Sequence, residues 1–306
     1  MRFAVAVITR RRPDGLARLL ASIDRLETIG PRGAIDLSVI VIENDDTASA
    51  MPACRWPSRH VLEPRQGIPV ARNRAIDEAR ALDPAADWVA FVDDDETVDP
   101  SWLIALERAA AESHADILTG PARPVLPEPV PRWALQTHAY DQPSHPDGSI
   151  LHEAYTNNVA LRASLLGTSS CRFDERLLMT GGSDTHLFRS LARKGHRIQW
   201  CAEAVTMEHY PHSRLTRRWA ARRAYRVGAT NAWIMLDLRE RTRLGCLALA
   251  VRFMARGLVR CTTSLVHGMV DAAAMHLVLD GAKALGLALG ATGLDRFEEY
   301  ATHHGS

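Results

Sequence analysis

Four consecutive acidic side chains follow a short apolar run in this sequence, and their types suit metal chemistry. Residues 88 to 92 are long enough for one buried strand, and residues 93 to 96 continue as Asp-Asp-Asp-Glu. Crowded carboxylates repel one another unless a cation lies between them, and Mg²⁺ and Mn²⁺ take oxygen ligands. Asp99 and Pro100 predict the start of the next helix, which leaves Asp93 to Asp95 without a structural task. A metal and diphosphate site is one interpretation, and a solvated acidic turn is the other.

Asp184 is the second group with catalytic potential. Gly181 and Gly182 before it allow a tight turn, and residues 185 to 193 have the pattern of a helix. A carboxylate placed there could accept a proton as a general base. From the local sequence alone, an ordinary role in capping the helix is favoured.

Three short apolar strands are predicted to position these groups. They cover residues 3 to 9, 37 to 42 and 88 to 92, and a helical spacing of apolar residues from 16 to 26 separates the first two. Strand, helix and strand in this order are typical of a parallel sheet, where ligands bind at the carboxyl ends of the strands. The first turn carries Arg10, Arg11 and Arg12 and no GxGxxG motif, so a dinucleotide fold is not indicated.

Composition bounds the class of protein. The 306 residues are 46% hydrophobic with a net charge of +1, which supports a real core and argues against a dedicated nucleic-acid binder. Residues 210 to 260 nevertheless hold twelve arginines against two acids. Five dispersed cysteines indicate neither a zinc site nor disulfides, so a cytoplasmic location is expected. The amino terminus lacks the layout of a signal peptide, and no apolar run reaches the roughly 18 residues of a membrane span.

The order of the motifs resembles inverting glycosyltransferases of family 2. The strand end Thr9-Arg10-Arg11 is followed by Glu43-Asn44-Asp45, then Ala71-Arg72-Asn73 after Gly67, then Asp93-Asp94-Asp95, within a similarity that covers about residues 3 to 226. Residues 91 to 103 are especially similar to exopolysaccharide glucosyltransferases of the succinoglycan kind. The resemblance implies a GT-A fold, an α/β nucleotide-sugar-binding domain with a mostly parallel central sheet flanked by helices.

The resemblance also implies roles for the polar residues. Asp93 and Asp95 would form the metal-binding pair for Mn²⁺ or Mg²⁺, and His209 could be a further ligand, although a lone histidine is more often structural. The donor nucleotide sugar would contact a larger set, formed by Thr9, Arg11, Glu43, Asp45, Arg72, Asp93, Asp94 and Asn158. The family more often has aspartate where this chain has Glu43. A surface charge is an equal alternative for Arg72.

On the acceptor side, the resemblance makes Asp184 the general base. This chain has Ser183 where the family commonly has glutamate, and Ser183 is a candidate acceptor contact together with Trp219. The segment around Trp219 distantly resembles the QxxRW motif of processive relatives but lacks the glutamine, so a polymerase is not inferred. Residues 120 to 150 contain seven prolines and are read as an insert near the acceptor cleft. Trp133 and Tyr140 in it could stack on sugars, or equally cover the core.

The predicted domains are a glycosyltransferase domain at 1 to 212, with a nucleotide-binding half at 1 to 100 and an acceptor half at 101 to 212, and a helical extension at 213 to 306. Arg252, Arg256 and Arg260 stand four residues apart beside many apolar residues. A basic amphipathic helix on an anionic membrane is favoured over a helix packed on the catalytic domain. Residues 277 to 294 are apolar but interrupted by glycines, which suggests a buried or interfacial helix rather than a span.

These predictions combine into one function. The enzyme would move a hexose, glucose from UDP-glucose by resemblance, to a hydroxyl of a lipid-linked oligosaccharide in exopolysaccharide biosynthesis. The cation would neutralise the leaving diphosphate while a carboxylate base activates the acceptor, in one inverting displacement. It would lie on the inner face of the plasma membrane, with homo-oligomer formation left open. The alternatives are a catalytically silent nucleotide-sugar-binding or scaffold component and, less favoured, a nucleotidyltransferase.

Overall fold

The structure is a computed structural model that describes residues 1–168, 170–178 and 180–293. The predicted helical extension at 213 to 306 is therefore described as far as residue 293, and Met179, beside the predicted glycine turn, lies outside the described residues.

Strands and helices alternate through the first 210 residues. The strands are β1 (Arg2–Thr9), β2 (Ile29–Gly30), β3 (Gly33–Ala34), β4 (Asp36–Glu43), β5 (Ser58–Leu62), β6 (Trp88–Asp93), β7 (Glu96–Val98), β8 (Ile117–Thr119), β9 (Ala122–Val125), β10 (Ile150–Leu151), β11 (Val159–Arg162), β12 (Ile198–Trp200) and β13 (Thr206–His209). The helices are α1 (Pro13–Ile23), α2 (Ile68–Arg80), α3 (Trp102–Glu112), α4 (Arg132–Thr137), α5 (Ala163–Leu166), α6 (Ser183–Arg193), α7 (Arg217–Asp237), α8 (Arg243–Val266) and α9 (Val270–Thr292).

The central sheet has the strand order β10-β12-β8-β11-β6-β1-β4-β5. β1 pairs in parallel with β4 and β6, and β4 with β5, while β11 is antiparallel to both β6 and β8. β12 is parallel to β8, so β6, β8 and β12 all end at the same edge. The predicted mostly parallel sheet is confirmed, and that shared edge is where its polar residues gather.

Both faces of the sheet are buried because side chains alternate along each strand. Val5, Val7 and Val39 point to one face, where α1 and α3 supply the other side of the core. Ala4, Ala6 and Ile40 point to the opposite face and pack with residues of α2, α5 and α6. This layered packing fixes the helices whose amino ends reach the sheet edge.

A smaller sheet, β7-β13-β9, lies after the acidic run. Its first strand begins at Glu96, so the last of the four acids belongs to a strand and is fully buried. Burial, together with the nearby charge of Asp93, raises the pKa of Glu96 well above its usual value. Glu96 is therefore buried in the smaller sheet, in an environment different from that of the three aspartates before it.

The predicted start of α3 needs a correction. The helix begins at Trp102 rather than at Pro100. Asp99 Oδ1 accepts hydrogen bonds from the Ser101 N–H at 2.9 Å and the Ser101 hydroxyl at 2.7 Å. Asp99 therefore stabilises the turn before the helix, and Ser101 is the N-cap residue.

Three long helices follow the sheet. α9 packs along both α7 and α8, and α4 also contacts it. The prediction of a helix over residues 277 to 294 is confirmed as far as residue 292, because α9 is continuous from Val270 to Thr292. Among the described helices, α9 is the one long and apolar enough by composition to cross a membrane, but 44% of that segment is buried within the protein.

Candidate active site

The carboxyl ends of β1, β4 and β6 bring the predicted donor residues to one edge. The strand register pairs Thr9 with Glu43, and Ile8 with Asp93. We call the carboxylates gathered there the acidic edge, which comprises Glu43, Asp45, Asp93, Asp94 and Asp95. Neighbouring parallel strands lie about 4.8 Å apart, so these side chains share one site although 50 residues separate them in sequence.

Asp45 is held by a bidentate ion pair with Arg11. Arg11 Nε donates to Asp45 Oδ2 at 2.5 Å, and Arg11 Nη2 donates to Oδ1 at 2.9 Å. The hydrogen bonds from Arg11 keep the pKa of Asp45 well below its usual range. Both predicted residues thus lie together at the acidic edge, with Asp45 ionised and Arg11 more than half exposed.

Glu43 is buried beside Asp45 on the same strand end. Its Oε2 accepts a hydrogen bond from the Ser49 N–H at 2.8 Å and lies 3.0 Å from His60 Nε2. Next to it, Asn44 donates to the carbonyls of Glu63 and Arg65 and accepts from the N–H of Gly67. Asn44, at the predicted strand end, therefore holds the loop that leads into α2.

The three aspartates after β6 have different partners. Asp94 accepts from the Thr9 hydroxyl at 2.8 Å and from Arg12 Nη1 at 2.9 Å. Asp95 accepts from Arg12 at 3.2 Å and from Arg214 Nη1 at 3.0 Å. Two guanidinium groups thus converge on the carboxylate predicted to bind metal.

Asp93 faces a different cation, with its Oδ1 3.8 Å from Arg72 Nη2. Burial raises the pKa of Asp93 to about 7, and the charges of Asp95, Asp94 and Asp184 act in the same direction. Arg72 opposes this shift. The carboxyl of Asp93 thus sits where a second positive charge would be favourable.

Arg72 joins the predicted donor residues to the predicted base segment. Its side chain is buried, and Nη1 donates to the Ser183 hydroxyl at 3.0 Å. Ser183 is the first residue of α6, and Asp184 follows it. The structure therefore places Arg72, Ser183 and Asp93 together, although 111 residues separate Arg72 from Ser183.

Asp184 lies in the first turn of α6, as the glycine pair predicts. Gly182 takes φ 80°, a left-handed conformation that glycine adopts readily, and Gly181 takes φ 77°. Asp184 Oδ1 accepts from the N–H of Thr185 at 2.7 Å. That bond satisfies one oxygen at the helix start, and Asp184 Oδ2 has no hydrogen-bond partner among the described residues.

His209 lies next to the acidic edge through the backbone and not through its ring. Its N–H donates to the Asp95 carbonyl, and Nε2 lies 3.1 Å from the Thr97 hydroxyl. Burial lowers the pKa of His209, with a further contribution from Arg18, and so favours the neutral imidazole that metals require. Its role as a ligand stays a prediction.

Asn158 does not fit the predicted contact with a sugar hydroxyl. It is 1% exposed, its Oδ1 accepts from Trp102 Nε1 at 3.0 Å, and its Nδ2 donates to the carbonyls of Pro121 and Ala204. Since protein groups occupy the amide on both sides, we correct this assignment and give Asn158 a structural role.

Trp219 belongs to an aromatic cluster. Its ring stacks on Tyr140 with centroids 6.1 Å apart and an angle of 6°, and it meets Tyr210 edge-on. Trp133 and Tyr140 are both buried in this cluster. These contacts favour the interpretation in which Trp133 and Tyr140 cover the core. They also give Trp219 a packing role, in addition to any contact with the acceptor.

Two arginines of the site were missing from the predicted set. Arg12 had a sequence signal, since it ends a run of three arginines after β1. Arg214 had none, because it comes from a short 3₁₀ helix at 212 to 214, distant in sequence from every other acidic-edge residue. Only the folded chain brings Arg214 to Asp95.

The donor atoms at the acidic edge fit a hard cation. Asp93 and Asp95 offer carboxylate oxygens, which Mg²⁺ and Mn²⁺ prefer. Elsewhere, among the described residues, Asp174, His186 and Asp237 bring three ligand atoms within 4.8 Å of one another. Arg176 already donates to both of those carboxylates, so that cluster reads as an ion-pair network between α6 and α7.

Comparisons with known proteins define the family. A sequence model described as "Glycosyltransferase like family 2" matches residues 1–227. The chain is 31% identical over 311 residues to the succinoglycan biosynthesis protein ExoM of Rhizobium meliloti (strain 1021), covering 97% of this chain and 94% of that protein. This chain therefore belongs to glycosyltransferase family 2, and the predicted family and enzyme class are confirmed.

Solved structures agree on the fold. The mannosyltransferase PcManGT from Pyrobaculum calidifontis, in complex with GDP-Man and Mn²⁺, superposes with a TM-score of 0.62 at 15% identity, covering 94% of this chain and 86% of that chain. S. aureus TarS 1–349 in complex with UDP-GlcNAc gives a TM-score of 0.52 at 14% identity, covering 93% and 90%. The GT-A fold is thus confirmed.

Proposed function

We propose that this enzyme transfers a hexose from a nucleoside diphosphate sugar to a hydroxyl of a lipid-linked oligosaccharide in exopolysaccharide assembly. The relative named for succinoglycan biosynthesis supports the pathway. UDP-glucose is the first candidate donor, on the family resemblance of the acidic motif. Solved neighbours bind UDP-GlcNAc and GDP-Man, so other donors belong in the test.

One observation carries this proposal. Arg72 lies 3.8 Å from Asp93 and 3.0 Å from the Ser183 hydroxyl, so one buried side chain links the acidic edge to the segment that bears Asp184. A transferase needs a donor site and a base within the length of one sugar, because the acceptor oxygen attacks the anomeric carbon directly. The arrangement supports a single displacement with inversion.

The residues divide the chemistry between them. Asp93 and Asp95 would hold Mn²⁺ or Mg²⁺, which neutralises charge on the departing diphosphate. Arg12 and Arg214 lie beside Asp95 and supply guanidinium groups that bind phosphate oxygens well. Asp184 takes the proton of the acceptor hydroxyl. Glu43 and Asp45 remain the proposed contacts to the nucleoside.

We also propose a peripheral location on the inner face of the plasma membrane, and an exposed helix face supports the membrane contact. α8 turns a row of apolar side chains to solvent, which we call the outward face and which comprises Leu244, Leu247, Val251, Met254, Leu258 and Val259. Leu244 is 77% and Val251 67% exposed. An exposed apolar helix face of this length suits the boundary of a bilayer, where a lipid-linked acceptor lies.

The contacts of the arginines on α8 differ in part from those predicted. Arg256 forms an ion pair with the buried Asp280 of α9, and Arg260 donates to the Thr137 carbonyl at 3.2 Å. Two of the three arginines predicted to face lipid therefore bind protein, and apolar side chains take the outward position. Arg252 is exposed at the margin of the outward face.

Release of nucleoside diphosphate tests the proposed function. We would incubate UDP-, GDP- and dTDP-sugars with Mn²⁺, Mg²⁺ or EDTA, with and without membrane lipid extract as the acceptor source. Metal-dependent release with one donor is expected, and Asp184→Asn should abolish transfer while leaving nucleotide binding intact. Asp77→Asn, on an exposed part of α2, is the control.

Two results would redirect the function. Donor binding without release under any of these conditions would favour a silent nucleotide-sugar-binding component. Full turnover in Asp184→Asn would remove the base from the mechanism, and a nucleotidyltransferase, which has no use for Asp184, would then gain support.

A further inference from the structure

A cavity of about 620 Å³ lies beside the acidic edge on the same edge of the central sheet. We call it the lateral cavity. Thr119 and Trp200, the last residues of β8 and β12, lie at its wall, and Tyr155, Glu153 and Arg189 complete it. Its size falls in the range of roughly 300 to 1,000 Å³ for small-molecule sites.

The position of the lateral cavity matches the reach of an acceptor. From β6 to β12 the sheet order runs through β11 and β8, and the strand register places Trp200 level with Phe91, two residues before Asp93. At about 4.8 Å per strand and about 3.3 Å per residue, Trp200 lies about 16 Å from Asp93. Asp184 and Arg189 share α6, and five residues of helix advance about 7.5 Å. The base therefore lies between the acidic edge and the lateral cavity.

Trp200 lines this wall, and its indole carries an unused hydrogen-bond donor. Its side chain is 5% exposed, and its indole Nε1 has no hydrogen-bond partner among the described residues. A buried indole N–H without a partner is unfavourable, since it has lost its water. His145 meets the Trp200 ring edge-on at 5.1 Å and holds the ring in place. The N–H therefore suits a ligand oxygen.

The charges of the lateral cavity cancel. Arg189 donates to Glu153 at 2.7 Å and to Glu240 at 3.3 Å, and Arg193 also lines the wall. The two arginines and two glutamates of the wall therefore sum to no net charge, and hydroxyl groups can donate to the carboxylates and accept from N–H groups.

We propose that the lateral cavity binds the terminal part of an uncharged saccharide acceptor, and that Trp200 Nε1 donates a hydrogen bond to one of its oxygens. This inference rests on the proposed function, because it names the acceptor class for the same active site. Tyr155, which is 39% exposed and donates to Glu153, borders the lateral cavity and presents a ring on which a sugar can stack.

The test compares donor hydrolysis with transfer. Trp200→Phe keeps an aromatic ring and removes the N–H, and Ala192→Trp fills the lateral cavity from α6. The acceptor is a lipid extract from a strain that lacks this enzyme. We expect Trp200→Phe to raise the acceptor KM about fivefold with an unchanged donor KM, which is the usual size of one neutral hydrogen bond. Ala192→Trp should lose transfer but keep metal-dependent donor hydrolysis.

Matched controls exclude general effects. Trp56→Phe makes the same chemical change far from the site, where the Trp56 indole donates to the Ile23 carbonyl. Lys194→Trp adds the same bulk at an exposed position just after α6. Both controls should transfer at the wild-type rate with wild-type acceptor KM. Circular dichroism and thermal unfolding identify any variant that has not folded.

The preference of the lateral cavity for uncharged saccharides can be tested independently. p-Nitrophenyl β-glucoside should inhibit transfer in competition with the lipid acceptor, and p-nitrophenyl β-glucuronide should not. Equal inhibition by both would overturn the uncharged-acceptor part of the proposal. Normal acceptor KM in both Trp200→Phe and Ala192→Trp would overturn the cavity assignment while the proposed function stands. Absence of diphosphate release in the wild type would instead reject the proposed function itself.

Discussion

At the scale of single residues, arginines balance the negative charge of the acidic edge. Arg12 and Arg214 both bind Asp95, and Arg12 also binds Asp94. A cation that binds Asp95 must therefore compete with two guanidinium groups. Once released, those groups lie within reach of a diphosphate on the same metal. The same two side chains can thus weaken binding of the metal alone and strengthen binding of the metal together with the donor.

Arg214→Gln separates these two effects. We expect tighter binding of Mn²⁺ alone, because one competitor for Asp95 is lost, and about tenfold weaker binding of the UDP-sugar, because a charged contact to phosphate is lost. Isothermal titration of metal and then of donor measures both. Arg218→Gln, an exposed arginine on α7, is the control and should change neither. Weaker binding of Mn²⁺ alone, or an unchanged affinity for the UDP-sugar, would contradict this role.

The raised pKa of Asp93 predicts a pH dependence. Because the pKa is about 7 in the folded protein and near 3.8 when unperturbed, the metal-free folded state holds a proton that the unfolded state has lost across this range. Stability without metal should therefore fall as the pH rises from about 4 to about 7. Metal binding needs the ionised carboxylate, so the stabilisation by bound metal should increase as the pH rises.

Thermal unfolding with and without Mn²⁺ checks this prediction. The rise in Tm on adding Mn²⁺ should be larger at about pH 8 than at about pH 6, where Asp93 is mostly protonated. Asp93→Asn removes the titrating group and should abolish the difference. An equal Mn²⁺ effect at both pH values in the wild type would show that Asp93 is not the group that titrates.

The acids of the site were predictable from sequence, but their partners were not. Asp93 to Asp95 and Asp45 each follow an apolar strand, and parallel strands end at one edge, so their meeting follows from local patterns. Arg214 meets Asp95 across 119 residues, and no local pattern encodes that contact. Asn158 was assigned wrongly for the same reason. Its place beside a strand pattern does not show that its side-chain amide is already hydrogen-bonded to Trp102 and two carbonyls.

At the scale of elements, the glycines of α7 and α9 allow the two helices to pack closely. A Cβ at Gly286 would lie 2.0 Å from the Tyr225 carbonyl oxygen, and one at Gly290 2.6 Å from that of Ala229. On the facing helix, a Cβ at Gly228 would lie 2.2 Å from the Lys283 carbonyl oxygen. The glycines therefore let α7 and α9 approach closely and do not interrupt the helix.

Two alanine substitutions on α9 test this contact. Gly286→Ala should destabilise the protein by about 1 to 3 kcal/mol, because rigid backbone lies where the methyl group must go. Gly281→Ala is the matched control, since its nearest neighbour is the Met254 sulfur at 3.8 Å. It should stabilise by about 0.5 to 1 kcal/mol through helix propensity. Urea unfolding measures both, and equal effects would contradict the close-packing argument.

Elements with weak local signals were missed. β5 is an edge strand with the sequence Ser-Arg-His-Val-Leu and lacks the apolar run of its neighbours. β7, at 96 to 98, begins with the last residue of the acidic run, where charge suggested a turn. Both are strands because adjacent strands supply their hydrogen bonds, a tertiary cause that residue propensities do not contain.

At the scale of the whole molecule, α8 has one face on the protein and one on solvent. The inward side includes Cys246, Ala250 and Gly257, all buried, while the outward face is apolar and exposed. Water-soluble helices place polar residues outside, so this reversal indicates a surface that another phase or partner covers. The sequence predicted a helix with arginines along one side, but Arg256, one of those three arginines, forms an ion pair with Asp280 of α9.

Charges on the outward face should weaken membrane binding. We expect Val251→Glu with Leu258→Glu to lower affinity for vesicles of equal phosphatidylglycerol and phosphatidylcholine by about tenfold or more, since two apolar side chains leave the lipid. Thr263→Glu adds the same charge type beside that face, at an exposed position, and should have a smaller effect. Vesicle flotation measures binding. Unchanged flotation of the double variant, or a dimer of the wild type that the variant disrupts, would assign the face to a protein partner instead.

The division of the chain near residue 213 stays a proposal, and contacts of α7 bear on how separable its two parts are. Asp237 binds His186 at 2.9 Å, and Glu240, just after α7, binds Arg189. A Cβ at Gly182 would meet a methyl group of Thr230 at 2.4 Å, so the turn before Asp184 rests directly on α7. α7 therefore supports the turn before the proposed base, and α9 connects it to α8, which carries the outward face proposed to bind membrane. Binding of that face to lipid would restrict the motion of all three helices, so we expect turnover to be fastest on a membrane surface, where the proposed acceptor lies.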